Sequence, residues 1–427
     1  MKTILYSEYT EFSEQKLNKN RLLSQQILNE IKPIANDIIN FGDDALYKYT
    51  KKFDNVSLDN LKVTKEEIER AYSSIDSQLV NIFKQAIDNI YAFHKPQLQK
   101  DYFLENKDFY LGQTYRAIER VGLYIPGGTA KYPSSVLMNA IPAKIAGVKE
   151  IVLVCPPNSN GEIDPNVLVA ADLLNINEIY KIGGSQAIFA LTYGTKSIRK
   201  VNKIVGPGNI YVSMAKKLVY GEVGIDMIAG PSEILIIADE KANPKYIAAD
   251  LLSQAEHDIN ACCILITTSN EIIKLVKDEL NKQIDKSKRK NILSVQSTSN
   301  MFCFLTNSIE ESITLSNDIA PEHLELMIEN PKVYLSKIQN AGSIFLGEYT
   351  PEPVGDYWAG TNHTLPTSGA SKYQSPLGVY DFIKKMSYLE YSKEKLEKES
   401  SSIIEFANAE TLFAHANAIK VRCTQDE

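Results

Sequence analysis

No run of apolar residues in this sequence approaches the ~20 that a helix needs to cross a bilayer, so no membrane-spanning role is expected. Cysteine is sparse: Cys155, Cys262, Cys263, Cys303 and Cys423, with no Cys-x-x-Cys pair. An odd count without paired spacing indicates neither a disulfide framework nor a cysteine zinc knot, and it fits a reducing cytoplasm. Positive charge is also short. Lys and Arg total 46 against 53 Asp and Glu, a net charge of −7. With no basic stripe interleaved with aromatics, nucleic acid is not expected as a partner. The opening residues, Met1 to Glu8, hold too short an apolar stretch before acidic residues to read as a signal peptide. No low-complexity segment and no solenoid-length repeat is present.

What is present suffices for two or three domains, at roughly 100–200 residues each for a 427-residue chain of 44% hydrophobic content. The first third reads as helical. Thr64 and Glu67 form a capping box, and Asp76 caps a second helix that stops at Pro96. His94 ends that helix far from any motif and reads as a surface or packed histidine. From Val121 onward, short β-rich runs alternate with amphipathic helices. The strands are expected at 121–125, 150–155, 178–182, 203–205, 234–238, 261–267, 301–306, 323–328 and 343–346. Asn243-Pro244 reads as a helix start, and Ser308 with Glu311 as a further capping box. Strand–helix alternation over this length predicts an α/β fold of parallel sheets covered by helices. About nine strands are many for one sheet, so two α/β units are expected. From Lys384 to Ile419 the chain is charged, lacks glycine and proline, and reads as a helical tail.

Four of the five histidines sit among acids, glycines and prolines, where an imidazole that titrates near neutrality can serve as ligand or base. Gln254 and His257 are three apart at the end of the helix begun at Asn243, so they share a face and can both reach one metal; a surface pair is the alternative. Glu322-His323 adjoin just before a strand, at the mouth of a sheet. Asp356 and His363 lie in a glycine-bearing loop of the kind that carries function, with the single tryptophan, Trp358, between them. Glu410 and His415 are about 140° apart on an ideal helix, so their spacing alone favours a solvated helix. Three glycine turns follow strands, at Gly122 to Gly128, Gly183 to Gln186 and Gly206 to Asn209. Each can bring backbone N–H groups to a phosphate, but none is a full dinucleotide fingerprint.

The segments GGSQAIFALTYGT, VGPGNIYV, AGPSE, QAEHD, APEHLE and GTNHTLPT occur in that order between Arg120 and Gly378. Together they resemble the histidinol dehydrogenase family. The resemblance implies NAD-dependent oxidation of L-histidinol through L-histidinaldehyde to L-histidine, the final steps of histidine biosynthesis. It implies one zinc per site held by Gln254, His257, Asp356 and His415, with Glu322 and His323 as the acid–base pair. Substrate contacts would be Ser232, His363 and Glu410 beside His323 and the metal ligands, and NAD contacts would be Tyr124, Gln186 and Asn209. The implied fold is two incomplete Rossmann-like units, the second inserted in the first, with small N- and C-terminal helical pieces. The implied boundaries are 1–20 for the N-terminal segment, 21–123 with 234–376 for the first unit, 124–233 for the inserted one and 377–427 for the tail. The resemblance further implies a homodimer with shared active sites, the tail exchanged so that the C-terminal histidine ligand comes from the partner. Two rivals remain on the residues alone: a cysteine-dependent aldehyde dehydrogenase and a metal-binding scaffold. Against the first, Cys262 and Cys263 lie in an apolar strand that favours buried thiols.

Overall fold

The uninterrupted apolar runs in the middle of the chain become strands buried on both faces, the pattern that parallel sheets require. The structure, a computed structural model, describes residues 1–5, 9–127 and 131–423. Gly128, expected in the turn after the first central strand, lies outside them, as do residues 424–427 at the end of the expected tail. Among the described residues no helix is long and apolar enough to cross a membrane. The chain divides into two units, Met1–Gln97 with Ile118–Phe382, and Leu98–Ala117 with the chain from Ile383 on.

The first unit holds β1 (Lys2–Leu5), α1 (Tyr9–Phe41), α2 (Asp43–Phe53), α3 (Lys65–Ser74) and α4 (Ser77–His94). The second unit contributes β2 (Tyr102–Glu105) and β3 (Phe109–Ala117). The first unit then continues with β4 (Arg120–Tyr124), α5 (Pro133–Ala146), β5 (Glu150–Val154), α6 (Pro165–Leu173), β6 (Glu178–Tyr180), α7 (Gly184–Tyr193), β7 (Lys203–Val205), α8 (Ile210–Val219) and β8 (Gly224–Ile225). It goes on through β9 (Glu233–Ala238), α9 (Pro244–Ala255), β10 (Cys262–Thr267), α10 (Asn270–Lys286), α11 (Lys290–Ser299), β11 (Met301–Leu305), α12 (Ile309–Ile319), β12 (His323–Met327), β13 (Ser343–Leu346) and α13 (Glu352–Tyr357). The second unit ends the chain with β14 (Ile383–Tyr391), α14 (Lys393–Ala409) and α15 (Phe413–Cys423).

Two parallel sheets form the first unit. One has five strands in the order β6-β5-β4-β7-β8, the other six in the order β1-β11-β10-β9-β12-β13. The α/β architecture with two parallel sheets is therefore as expected. Along β9, Ile234, Ile236 and Ala238 pack with Ile247 and Leu251 of α9 and Val276 of α10, while Leu235 and Ile237 face Ile313 and Leu315 of α12. This is the period of two, with both faces covered. The faces of the five-stranded sheet are covered partly by its own helices and partly by α1 to α4. Ile27, Ile31, Ile34, Ala35 and Ile38 of α1 pack with Tyr124, Val152 and Ile188, and Phe83, Ala86 and Ile90 of α4 pack with Val121, Leu123 and Val136.

Local sequence signals set several boundaries. Thr64 and Glu67 cap each other at the start of α3. Asp76 accepts the Gln78 N–H at α4, and Asn243 accepts the Lys245 N–H ahead of Pro244 at α9. Ser308 accepts the Glu311 N–H, but the Glu311 carboxylate takes the N–H of Asn307 rather than that of Ser308. His94 is buried, with Nδ1 donating to Gln97 Oε1 at 3.0 Å, so it is a packed histidine.

One element corrects the sequence reading. Residues 383–391 are a strand, not the start of a helical tail, and they pair antiparallel with β3, itself paired with β2. The third sheet is therefore antiparallel, in the order β14-β3-β2. The charged segment IKKMSYLEY has no local stop signal and looks helical by itself. Its conformation comes from cross-strand pairing, with the Tyr388 ring seated over Gly112, where a Cβ would stand 2.3 Å from the ring, and tilted against Tyr110 at 5.2 Å.

Candidate active site

The ends of β9 and β12, the end of α9 and the short helix α13 converge on one cleft of about 2560 Å³ that also takes in Tyr124, Gln186 and Asn209. Ser232, Gln254, His257, Glu322, His323, Asp356 and His363 all line it. Sequence positions spread over some 240 residues are thus gathered at one end of the parallel sheets, where open α/β folds bind ligands.

Glu322 and His323 are built onto the start of β12 beside β9. Glu322 Oε2 accepts the Glu233 N–H at 2.8 Å, and His323 Nδ1 lies 2.9 Å from the Glu233 carbonyl oxygen. A carbonyl only accepts, so Nδ1 carries a proton and Nε2 is left for chemistry. That Nε2 is buried, has no hydrogen-bond partner, and stands 3.8 Å from Asp356 Oδ1, an ionic contact too long for a hydrogen bond. The backbone of Glu322 is held by Gly342: Ser343 N–H donates to the Glu322 carbonyl at 2.9 Å, and a Cβ on Gly342 would come within 2.5 Å of that oxygen.

Electrostatics separate the groups. Burial pushes the Glu322 carboxyl up to about 8, against the opposing pull of His323 and the Glu233 N–H. Burial alone would lower His323, but Glu352, Glu322 and Asp356 outweigh it and hold the imidazole well above its ordinary value. Asp356 is driven up by burial and down by His323, His363 and His257, and the imidazoles win. His363 is held below its usual range by burial, with Asp356 opposing, and its Nε2 lies 3.4 Å from Ser135 Oγ. His257 opens to the cleft, yet the protein mass around it still lowers its pKa, again against Asp356.

Gln254 lies in the last turn of α9, and the turn runs on through His257, whose N–H donates to the Gln254 carbonyl at 3.2 Å. The partners of the Gln254 side chain fix its orientation: its NH2 donates to both Glu352 oxygens, at 2.7 Å to Oε2, and its oxygen accepts the Glu233 N–H at 3.2 Å. Gln254, His257 and Asp356, which line the cleft together, offer amide oxygen, imidazole nitrogen and carboxylate oxygen, the donor types that zinc accepts. Among the His, Cys, Asp and Glu side chains of the described residues, the group whose ligand atoms come together is a different one. His323, Glu352 and Asp356 lie mutually within 4.8 Å, and of the four expected ligands this group contains Asp356 alone. Glu352 escaped the sequence reading. The available signal was its spacing of four from Asp356, which puts both carboxylates on one face of a short helix.

The cofactor candidates line the same cleft. Tyr124 is buried, and its hydroxyl accepts the Gly184 N–H at 3.0 Å. Both amide atoms of the buried Gln186 lack partners, as a side chain awaiting a ligand would. Asn209 caps α8, taking the N–H groups of Tyr211 and Val212. The loop before it begins at Gly206, at φ +119°, where a Cβ would meet the Tyr124 carbonyl oxygen at 2.1 Å. Behind the loop a buried ion pair missed by sequence reading joins Lys216 to Asp226. Lys216 Nζ donates to the Gly206 carbonyl at 3.0 Å, and Asp226 accepts the N–H groups of Gly206 and Met227 at 2.8 and 2.6 Å.

Glu410 and His415 belong to the second unit. Glu410 is the exposed C-cap of α14, and His415 is exposed in the first turns of α15. Cys262 and Cys263, on which a thiol-dependent rival would rest, are buried in β10.

The histidinol dehydrogenase family profile matches residues 17–423. Histidinol dehydrogenase of Clostridium acetobutylicum is 52% identical over 398 residues, covering 93% of this chain and 92% of that protein. That of Listeria innocua is 51% identical over 427 residues, with both chains covered in full. The crystal structure of histidinol dehydrogenase from Elizabethkingia anophelis superposes with a TM-score of 0.90 at 40% identity, covering 99% of this chain and 98% of that one. This chain belongs to the histidinol dehydrogenase family.

Proposed function

We propose that the chain catalyses the NAD-dependent, four-electron oxidation of L-histidinol through L-histidinaldehyde to L-histidine. The observation that carries this reading is the buried pair on β12: an imidazole whose Nε2 is unpartnered, beside a carboxyl group whose ionisation burial has moved to about 8. One base is needed for the alcohol and one for the water that adds to the aldehyde. In its neutral form, His323 takes the hydroxyl proton on Nε2 as hydride departs. Glu322, once ionised, takes a proton from water as it adds to the aldehyde carbon, and His323, after giving its first proton up to solvent, accepts the proton released in the second oxidation. Bound zinc supplies orientation of the substrate nitrogens, and bound NAD supplies hydride acceptance.

Gln254, His257 and Asp356 hold the zinc from this chain. Ser232, His363 and His323 contact the substrate beside these ligands, and Tyr124, Gln186 and Asn209 hold NAD. Shared cleft lining supports all these assignments. His415 completes the metal site and Glu410 the substrate site from the partner subunit of a homodimer. The support is that Phe406, Leu412 and Phe413 of the tail are exposed large apolar residues, which element exchange between identical subunits would cover. The chain acts in the cytoplasm, in keeping with its cysteine usage.

The defining test is stoichiometry. Complete conversion should yield two NADH per histidinol with histidine as product. One NADH with free aldehyde accumulating refutes the four-electron reading. For the shared site, a mixed dimer of His257→Ala and His415→Ala chains should regain about half the native activity, because exchange places both lesions in one site and none in the other. A folded but inactive mixed dimer refutes exchange.

A further inference from the structure

We infer that Glu352 is the positioning residue that turns the oxygen of the Gln254 amide, rather than its nitrogen, toward the metal. This rests on the proposed zinc site, in which Gln254 is a ligand. A carboxamide presents two ends of nearly equal size, one donating and one accepting, and only the oxygen can bind a cation. Nothing in α9 itself distinguishes the two ends. The Glu233 N–H marks the oxygen end at 3.2 Å, and ionised Glu352 marks the other, because a carboxylate accepts and cannot donate; burial pushes Glu352 up to about 7, with His323 pulling toward the ionised form. Both Glu352 oxygens lie within reach of one end of the Gln254 amide, so that end is the NH2, and the oxygen is on the opposite side, where it accepts the Glu233 N–H at 3.2 Å and keeps a second lone pair for a cation.

Glu352 is itself held firmly. It is 2% exposed and sits at the first position of α13, where its backbone N–H donates to Glu325 Oε1 at 2.9 Å. Ser253 Oγ adds a long contact to Glu352 Oε2 at 3.4 Å. The same short helix carries Asp356 one turn later. One six-residue element thus supplies a metal ligand directly and orients a second one on α9. Outer-shell carboxylates that orient ligands in this way sustain a large part of metal affinity.

The test measures zinc dissociation constants by competition with a chromogenic chelator, using full-length dimeric protein stripped of metal and reloaded. Glu352→Gln removes the acceptor-only partner and leaves the long Glu233 N–H contact alone to orient the amide at 254, and zinc affinity should fall about 10- to 100-fold. The isosteric pair Gln254→Glu/Glu352→Gln reverses the polarity of the contact. The side chain at 352 now donates, the one at 254 accepts, and an oxygen again faces the metal. Zinc affinity should return to the native value or tighter. Rescue by swapping is something a merely structural role, or direct coordination by Glu352, would not give. NAD affinity and the melting temperature, read in parallel, identify any variant that does not fold. In that case Glu352→Asp takes its place, keeping the charge while losing the reach, and it too should bind zinc more weakly.

Native zinc affinity in Glu352→Gln or in Glu352→Asp overturns the proposal, and so does a folded swapped pair that stays as weak as Glu352→Gln. Gln254→Ala separates this from the underlying assignment. If its affinity is native, Gln254 is not a ligand and the zinc-site reading fails. If it is weak while Glu352→Gln is native, only the role of Glu352 fails.

Discussion

The ion pair between Lys216 and Asp226 offers the sharpest test of how the proposed NAD side of the cleft is held. The Lys216 side chain is 2% exposed and that of Asp226 is 0% exposed. Asp226 keeps two backbone N–H donors, from Gly206 and Met227, when the lysine is removed, whereas Lys216 keeps only the Gly206 carbonyl when the aspartate is removed. Breaking one side of a buried pair leaves an uncompensated charge, at about 3–5 kcal/mol. Lys216→Met, whose orphaned carboxylate is still solvated by two amides, should fall near the low end of that range. Asp226→Leu, which strands an ammonium with one acceptor, should fall near the high end. The double variant removes both charges and should be markedly less destabilised than the sum of the two single variants. Urea unfolding followed by helical circular dichroism gives the stabilities. NAD affinity gives a local readout, since Gly206 opens the loop that ends at Asn209, and both single variants should bind NAD more weakly than the native chain. If Lys216→Met changes stability by under about 1 kcal/mol, the pair behaves as a surface bridge and the argument from burial is refuted.

Four further outcomes are expected. Because Glu322 is raised to about 8, the folded chain retains a proton that the unfolded chain loses above its ordinary value. Native stability should therefore decline as pH rises toward 8, and Glu322→Gln should flatten that decline in melting temperatures taken across the range. The rate of oxidation of added histidinaldehyde should rise with pH to an inflection near 8 in the native enzyme, and a profile flat from 6 upward would remove Glu322 as the base for water. Glu322→Gln should slow the aldehyde half-reaction far more than the alcohol half, while His323→Asn should slow both; equal losses in both halves for both variants, measured by single-turnover NADH formation, contradict the division of labour. Gly342→Ala should lower activity at least tenfold with little change in NAD affinity, since its methyl group would displace the Glu322 backbone, and native turnover would show that this close approach is dispensable.

Much of this protein is legible from local chemistry. The caps at Thr64, Asp76 and Asn243, the β-rich runs from Val121 to Leu346 and the helices between them are written in side chains that act over one turn or one pleat. The buried parallel sheets follow, because runs such as EILIIA have no polar face to offer water. The histidines and acids in glycine- and proline-bearing segments marked the site in the same way, and the fold gathers those of the first unit in one cleft. Other features had no local sign. Residues 383–391 become a strand only because β3 offers a partner with a glycine where Tyr388 must lie. Glu352 reads as one acid among many until α13 sets it against Gln254, which is distant in sequence. Lys216 and Asp226, ten residues apart, look like solvated charges until packing takes water from both. The covalent sequence by itself determined the elements, their burial and the set of groups able to do chemistry, because these depend on neighbours a few residues away. Only the tertiary structure decided which nitrogen of His323 is left unpartnered, which end of the Gln254 amide is turned toward Glu352 and how far the Glu322 proton is held. Those properties depend on desolvation and on partners brought from other strands and helices.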